Sequence, residues 1–294
     1  MMKLHRQSYS IPQATQHPTR GRTNQGEKRL AYWSAGDPQS DSVVVCVHGL
    51  LRHSRDFDEI AQALASSHYV VCPDLPGRGL SDPLDAASDY HPERYLQALA
   101  PLLAKFQQRS IHWVGTSLGG LLGMALAAQP KSVIRTLVLN DIGPELPQVA
   151  LQRIADYIDA PQFDNLAQVE EFLRQTYLSY EGLTDQQWQR LARYGSKPSG
   201  EGGFVLHYDP LIADNTKASV AQTIELWDLW QAIEQPCLLV QGLASDLLTP
   251  DIVARMQQQR PDLKLLQREG IGHAPSLMLP QEVEAVVQFI REQS

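Results

Sequence analysis

The sequence predicts an α/β domain built on a mostly parallel, doubly wound sheet, and two observations carry that reading. Six short runs, VVVCVHG (43–49), YVVCPDL (69–75), IHWVG (111–115), RTLVLND (135–141), CLLVQG (237–242) and LKLLQ (263–267), are continuously apolar rather than alternating, as strands covered on both faces are. Helical patterns at about 54–67, 91–107, 118–129 and 280–292 lie between or after them, and strand-helix repetition is the mark of a sheet wound on both sides.

The remaining segments follow in order. Residues 1–18 read as a flexible N-terminal tail. Segments 19–24 and 28–34 flank Asn24-Gln25-Gly26 and read as an antiparallel hairpin on the sheet edge. The sheet domain then covers 19–142 and 236–294. Between them, 143–235 breaks the alternation: it has no convincing strand, several amphipathic helical patterns, and Gly/Ser/Pro punctuation at 195–203. It also holds 11 of the 21 aromatic residues, so it reads as a helical cap, or lid, over the sheet. Most of those aromatics should form the cap's own core. His207, Tyr208 and Trp188 are the cap residues expected to meet a substrate.

Charge and composition narrow the function. Lys plus Arg is 25 and Asp plus Glu is 33, a net charge of −8, which argues against nucleic acid or an anionic membrane as partner. The longest run of apolar residues and glycine, Leu118 to Ala128, is 11 residues, well short of the ~20 a membrane helix needs. The first 30 residues carry no apolar stretch of signal-peptide length, so a cytoplasmic protein is expected. Cys46, Cys72 and Cys237 each sit in a Val/Leu-rich run, the setting of small buried thiols rather than of disulfides or zinc. No metal site is expected: CxxC and HExxH are absent. No cofactor is expected either, because the G-x-G at 77–79 and 270–272 lacks the third glycine and the strand-to-helix setting of a dinucleotide fingerprint.

The chemistry centres on Gly115-Thr116-Ser117-Leu118-Gly119, a G-x-S-x-G where a strand meets an apolar helix. A nucleophile on such a turn needs glycine two positions either side, because side chains there would strike the strand and helix. The helix beginning at Leu118 aims its free N–H groups toward the serine. A serine hydroxyl needs a base. His273, in Gly270-Ile271-Gly272-His273-Ala274-Pro275 after the last strand, lies at the same carboxyl end of the sheet. Asp246, after the strand 237–242 and before Thr249-Pro250, is the expected carboxylate partner. Asp141 is the alternative, because it too ends a strand, but its place before Ile142-Gly143-Pro144 suits a turn cap. The backbone N–H groups of Leu118 and Leu50, the latter in His48-Gly49-Leu50, are the expected oxyanion donors.

These residues resemble the α/β-hydrolase family. The likeness spans Arg29 to Arg291 and rests on HGL (48–50), DLPGRGLSD (74–82), GTSLGG (115–120), SDLLTP (245–250) and GIGHAP (270–275). It implies an eight-stranded, mostly parallel sheet with a helical cap after the sixth strand, and the triad order Ser, acid, His. Asp74 and Arg78 are expected to fix turns. The absence of HGGG and the serine at 117 point away from the hormone-sensitive-lipase-like branch and from the haloalkane dehalogenases and epoxide hydrolases.

The expectation is a carboxylesterase-like serine hydrolase, or lactonase, acting through an acyl-enzyme on a small to medium, largely apolar ester, as a monomer or homodimer. Two alternatives stand beside it. One is carbon–carbon bond hydrolysis of vinylogous diketones, which an arginine of the lid pocket poised for a substrate carboxylate would favour. The other is a low-turnover, ligand-sensing homologue. Perhydrolysis is a possible side reaction of the same site.

Overall fold

A computed structural model describes residues 4–11, 27–158 and 161–294. Its centre is one eight-stranded sheet: β1 (His5–Ile11), β2 (Lys28–Ala35), β3 (Ser42–Val47), β4 (Tyr69–Pro73), β5 (Ser110–Thr116), β6 (Ile134–Asn140), β7 (Cys237–Gly242) and β8 (Lys264–Arg268). The spatial order is β1-β2-β4-β3-β5-β6-β7-β8. Only the β1–β2 and β2–β4 pairings are antiparallel; the rest are parallel. All six runs read as apolar strands are found here.

Both faces are covered, which is why those strands are apolar throughout. Alternate residues of β3 divide between two cores: Val43, Val45 and Val47 pack with α2 (Pro92–Ala104), α3 (Leu118–Ala127) and α9 (Pro250–Gln259). Val44 and Cys46 pack on the other face with α1 (Asp58–Leu64) and α10 (Pro280–Arg291). The three cysteines are free and buried. No helix among the described residues is long and apolar enough to cross a membrane.

The N-terminal edge differs from the expectation of a tail and a 19–24/28–34 hairpin. The partner of β2 is residues 5–11, with His5 opposite Ser34 and Ile11 opposite Lys28, while segment 19–24 lies outside the described residues. β1 turns only Tyr9 and Ile11 into the core. Its remaining hold is polar: Gln7 Nε2 donates to Ser34 Oγ and to the Tyr69 hydroxyl, both at 3.0 Å. A strand anchored by two apolar side chains and amide hydrogen bonds leaves little hydrophobic pattern to read.

Between β6 and β7 the chain forms α4 (Gln148–Tyr157), α5 (Leu166–Thr176), α6 (Asp185–Tyr194), α7 (Leu211–Ser219) and α8 (Trp227–Gln231). This insert also contains two small antiparallel pairs that the sequence did not signal, Glu145–Leu146 with Ile224–Glu225 and Ser196–Pro198 with Phe204–Leu206. Phe163, Val169, Leu173, Tyr180, Leu183, Trp188 and Leu191 make a small core within it. Ion pairs tie it to the sheet domain, among them Arg190 to Glu59 at 2.6 Å.

Candidate active site

The chain turns sharply from β5 into α3 at Ser117, whose φ of 50° and ψ of −114° are unusual for a residue with a side chain. The flanking glycines permit the turn. A Cβ on Gly119 would lie 2.0 Å from the Val47 carbonyl oxygen, and one on Gly115 would lie 2.3 Å from the Gly119 carbonyl oxygen. Ser117 N–H donates to the Asn140 carbonyl at 3.0 Å, which fixes the turn against the end of β6.

His273 reaches this serine from the loop after β8. Its Nε2 is 3.0 Å from Ser117 Oγ, and its Nδ1 is 2.8 Å from Asp141 Oδ2. Asn140 Nδ2 holds the histidine loop by donating to the Pro275 carbonyl at 2.8 Å. Ser117 and His273 are therefore brought together as expected from their strand ends.

The carboxylate beside His273 is Asp141, not Asp246. β6 and β7 are neighbours, with Asn140 opposite Val240, so the residue after β6 faces the loop leaving β7. There Asp141, fully buried, accepts from Gly242 N–H at 2.8 Å through Oδ1 and from Ser245 Oγ at 2.6 Å through Oδ2. These two donors fix its orientation toward the imidazole. Asp246 makes no hydrogen bond to His273, and its side chain is 40% exposed. Its carboxylate accepts from Arg153 Nε at 2.5 Å and Arg153 Nη2 at 2.7 Å, linking α4 of the insert to the sheet domain. Burial alone would raise the Asp246 carboxyl, but the Arg153 hydrogen bonds and charge outweigh it and hold it below its ordinary value.

The loop after β3 lies over the serine: a Cβ on Gly49 would be 3.6 Å from Ser117 Cβ. Among the described residues, neither Leu50 N–H nor Leu118 N–H donates to another backbone group. That loop is braced from below. Arg78, wholly buried, donates through Nε to the Leu50 carbonyl and through Nη1 to the Pro76 carbonyl and the Tyr95 hydroxyl, each at 2.8 Å. Asp74 accepts from Ser54 N–H at 2.9 Å, Ser54 Oγ at 2.6 Å and Leu80 N–H at 3.0 Å. His48 Nε2 accepts from Leu75 N–H at 3.0 Å, while Nδ1 meets the Gly49 carbonyl at 2.8 Å. Burial lowers the His48 pKa to about 3, so the ring is neutral and Nδ1 carries the proton.

The cavity at Ser117 is small, about 60 Å³, and is walled by residues of the insert and of the loops at the carboxyl end of the sheet. None of the three insert residues expected to meet a substrate lines it. Trp188 is buried in the insert's own core against Tyr180. Tyr208 is buried with its hydroxyl donating to the Ile158 carbonyl. His207 lies on a separate groove with Gly79 and Pro210, because residues 207–209 run along the 77–79 loop: Gly79 N–H donates to the His207 carbonyl and Asp209 N–H to the Gly77 carbonyl. The insert side chains that do line the cavity are Ile154, Tyr177 and Tyr180, joined by Leu51 and Arg52 of the sheet domain. The i, i+3 spacing of Tyr177 and Tyr180 and the i, i+4 spacing of Arg52 and Asp56 were the available signals.

Comparison with known proteins agrees with the fold. A family model described as alpha/beta hydrolase fold matches residues 42–277. The 3-hydroxybutyrate-oligomer hydrolase of Cupriavidus necator is 38% identical over 273 residues, 90% of this chain and 93% of that protein. The pimeloyl-[acyl-carrier protein] methyl ester esterase of Nitrosomonas europaea is 28% identical over 251 residues, 81% of this chain and 91% of that protein. The crystal structure of an alpha/beta hydrolase from Novosphingobium aromaticivorans superposes with a TM-score of 0.83 at 32% identity, covering 97% of this chain and 98% of that one.

Proposed function

This chain belongs to the α/β-hydrolase family, and from that premise we propose that it is a serine hydrolase of small carboxylic esters. The observation that carries the reading is the unbroken line from Asp141 Oδ2 through His273 to Ser117 Oγ, at 2.8 and 3.0 Å. In the proposed reaction His273 Nε2 takes the Ser117 proton as Oγ adds to the ester carbonyl. Asp141 keeps the Nδ1–H tautomer and stabilises the imidazolium. Leu50 and Leu118 N–H groups hold the oxyanion; losing one such donor typically costs roughly 10²–10³ in turnover. His273 then protonates the departing alcohol, and a water deprotonated by the same nitrogen releases the acid.

Ester chemistry is supported by relatives named for hydrolysing an oligomer of 3-hydroxybutyrate and a methyl ester. Those names put short oligoesters of a hydroxy acid first on a substrate panel. Carbon–carbon hydrolysis of a carboxylate-bearing diketone is the second reading, favoured by Arg52 on the cavity wall. The insert's Arg153 does not add to it, being tied to Asp246.

A fluorophosphonate probe tests the mechanism. We expect a single adduct on Ser117, and loss of both the adduct and ester turnover in Ser117→Ala with an unchanged melting temperature. Labelling at another serine, or an active alanine variant, would remove the basis for the proposal.

A further inference from the structure

We propose that Arg52 is a substrate-binding residue that selects esters carrying a carboxylate a few bonds from the scissile carbonyl. This inference rests on the hydrolase reading above. Arg52 is 7% exposed yet lines the Ser117 cavity, where it is the only Lys or Arg among the described residues. Its backbone N–H closes a turn onto the Gly49 carbonyl at 3.2 Å, so the side chain leaves the same loop that carries Leu50.

The guanidinium is positioned before any ligand arrives. Nε and Nη2 donate to the two oxygens of Asp56 at 2.8 and 2.7 Å. Tyr177 and Tyr180 lie against it, with ring centres 4.7 and 5.6 Å from Cζ. Burial works against its charge, but Asp56 outweighs that and holds it protonated. Burial likewise raises Asp56 while Arg52 outweighs it, so the pair stays ionised. Nη1 is the unused edge: it makes no hydrogen bond among the described residues, yet it is not among the sealed, unpartnered atoms, whereas Arg78 Nη2 is.

Among the described residues, no Asp or Glu lines the cavity. His53, beside Asp56 at 3.7 Å, is held neutral by burial. A carboxylate on Nη1 would therefore gain charge-assisted hydrogen bonds from a group whose orientation is already fixed.

The test compares kcat/KM for monomethyl succinate, dimethyl succinate and methyl pentanoate. These are measured in the full chain and in R52Q/D56N, which replaces the ion pair without stranding a buried charge. We expect R52Q/D56N to lose roughly tenfold to a hundredfold on monomethyl succinate while methyl pentanoate changes little. Equal losses on all three esters, no loss, or a loss on dimethyl succinate alone would overturn the assignment. Arg52→Lys keeps a cation beside Asp56 but lacks the open edge; it should show the same selective loss and replaces the double variant if that one fails to fold. Succinate binding to Ser117→Ala by calorimetry separates this inference from the hydrolase reading. Affinity should fall at least tenfold on adding R52Q/D56N, even if no ester is turned over, and an unchanged affinity would overturn it.

Discussion

Asp141 Oδ2 receives both His273 Nδ1, at 2.8 Å, and the Ser245 hydroxyl, at 2.6 Å, so the loop after β7 supplies a hydroxyl rather than a carboxylate to the site. Ser245 lies beside Asp246 in sequence, yet the two side chains serve opposite purposes. One orients the buried aspartate; the other joins an exposed ion pair with Arg153. Exposed pairs of that kind contribute about 0–1 kcal/mol.

The cavity wall sets one prediction. At about 60 Å³ the space around Ser117 is far below the roughly 300 Å³ at which ligand pockets begin, so a longer acyl chain needs Ile154 or Tyr177 to move. Ile154→Ala and Tyr177→Ala should raise the hexanoate-to-acetate ratio of p-nitrophenyl ester turnover, by no more than about 1–3 kcal/mol per methylene accommodated. Trp188→Ala should leave that ratio unchanged and instead cost about 3–5 kcal/mol of stability, because it empties the insert's own core. A ratio moved by Trp188 and not by the other two would reassign the wall.

Acid sensitivity follows from two buried histidines. Burial lowers His48 and His53 to about 3 from the ordinary histidine value of 6.5. Below 6.5 the unfolded chain takes up protons that the folded chain refuses, so stability is full above 6.5 and falls as pH drops toward 3. Each ring contributes a slope of up to about 1.4 kcal/mol per pH unit in that window. Melting temperatures at pH 7.5 and 5.0 should therefore differ, and His53→Asn should shrink the difference. Asparagine suits that position, where the histidine ring accepts from Arg55 N–H. An unchanged difference would mean that His53 charges without penalty.

The strand-to-helix turn makes a steric prediction. Gly119→Ala would set a methyl 2.0 Å from the Val47 carbonyl oxygen, whereas Gly200 has nothing within 4 Å. Gly119→Ala should destabilise by at least ~2 kcal/mol and reduce fluorophosphonate labelling of what still folds. Gly200→Ala should do neither. Urea denaturation of the two variants side by side decides it.

Particular residues show what was legible in the sequence. The parallel strands could be read because burial on both faces makes them continuously apolar. Ser117 and His273 could be placed because both follow strands at the sheet's carboxyl end. The aspartate could not be fixed that way. Asp141 and Asp246 both emerge at that edge, and the choice depends on β6 lying beside β7 and on a hydroxyl from Ser245. The insert's aromatics pose the same problem in another form: the sequence offers Trp188 as a substrate contact, yet Trp188 packs in the insert's own core while Tyr177 and Tyr180 line the cavity. β1 escaped notice because its hold on the sheet is largely polar.

The most direct test of the proposed triad is turnover of Asp141→Asn and Asp246→Asn at saturating ester, measured in one experiment. Removing the orienting carboxylate costs roughly 10⁴ in the serine protease Ser-His-Asp case. Asp141→Asn should therefore lose several orders of magnitude in kcat, while Asp246→Asn, which breaks only the Arg153 pair, should stay within a few fold of the parent. The reverse pattern, with Asp246→Asn inactive and Asp141→Asn near the parent, would contradict the assignment of Asp141 to His273.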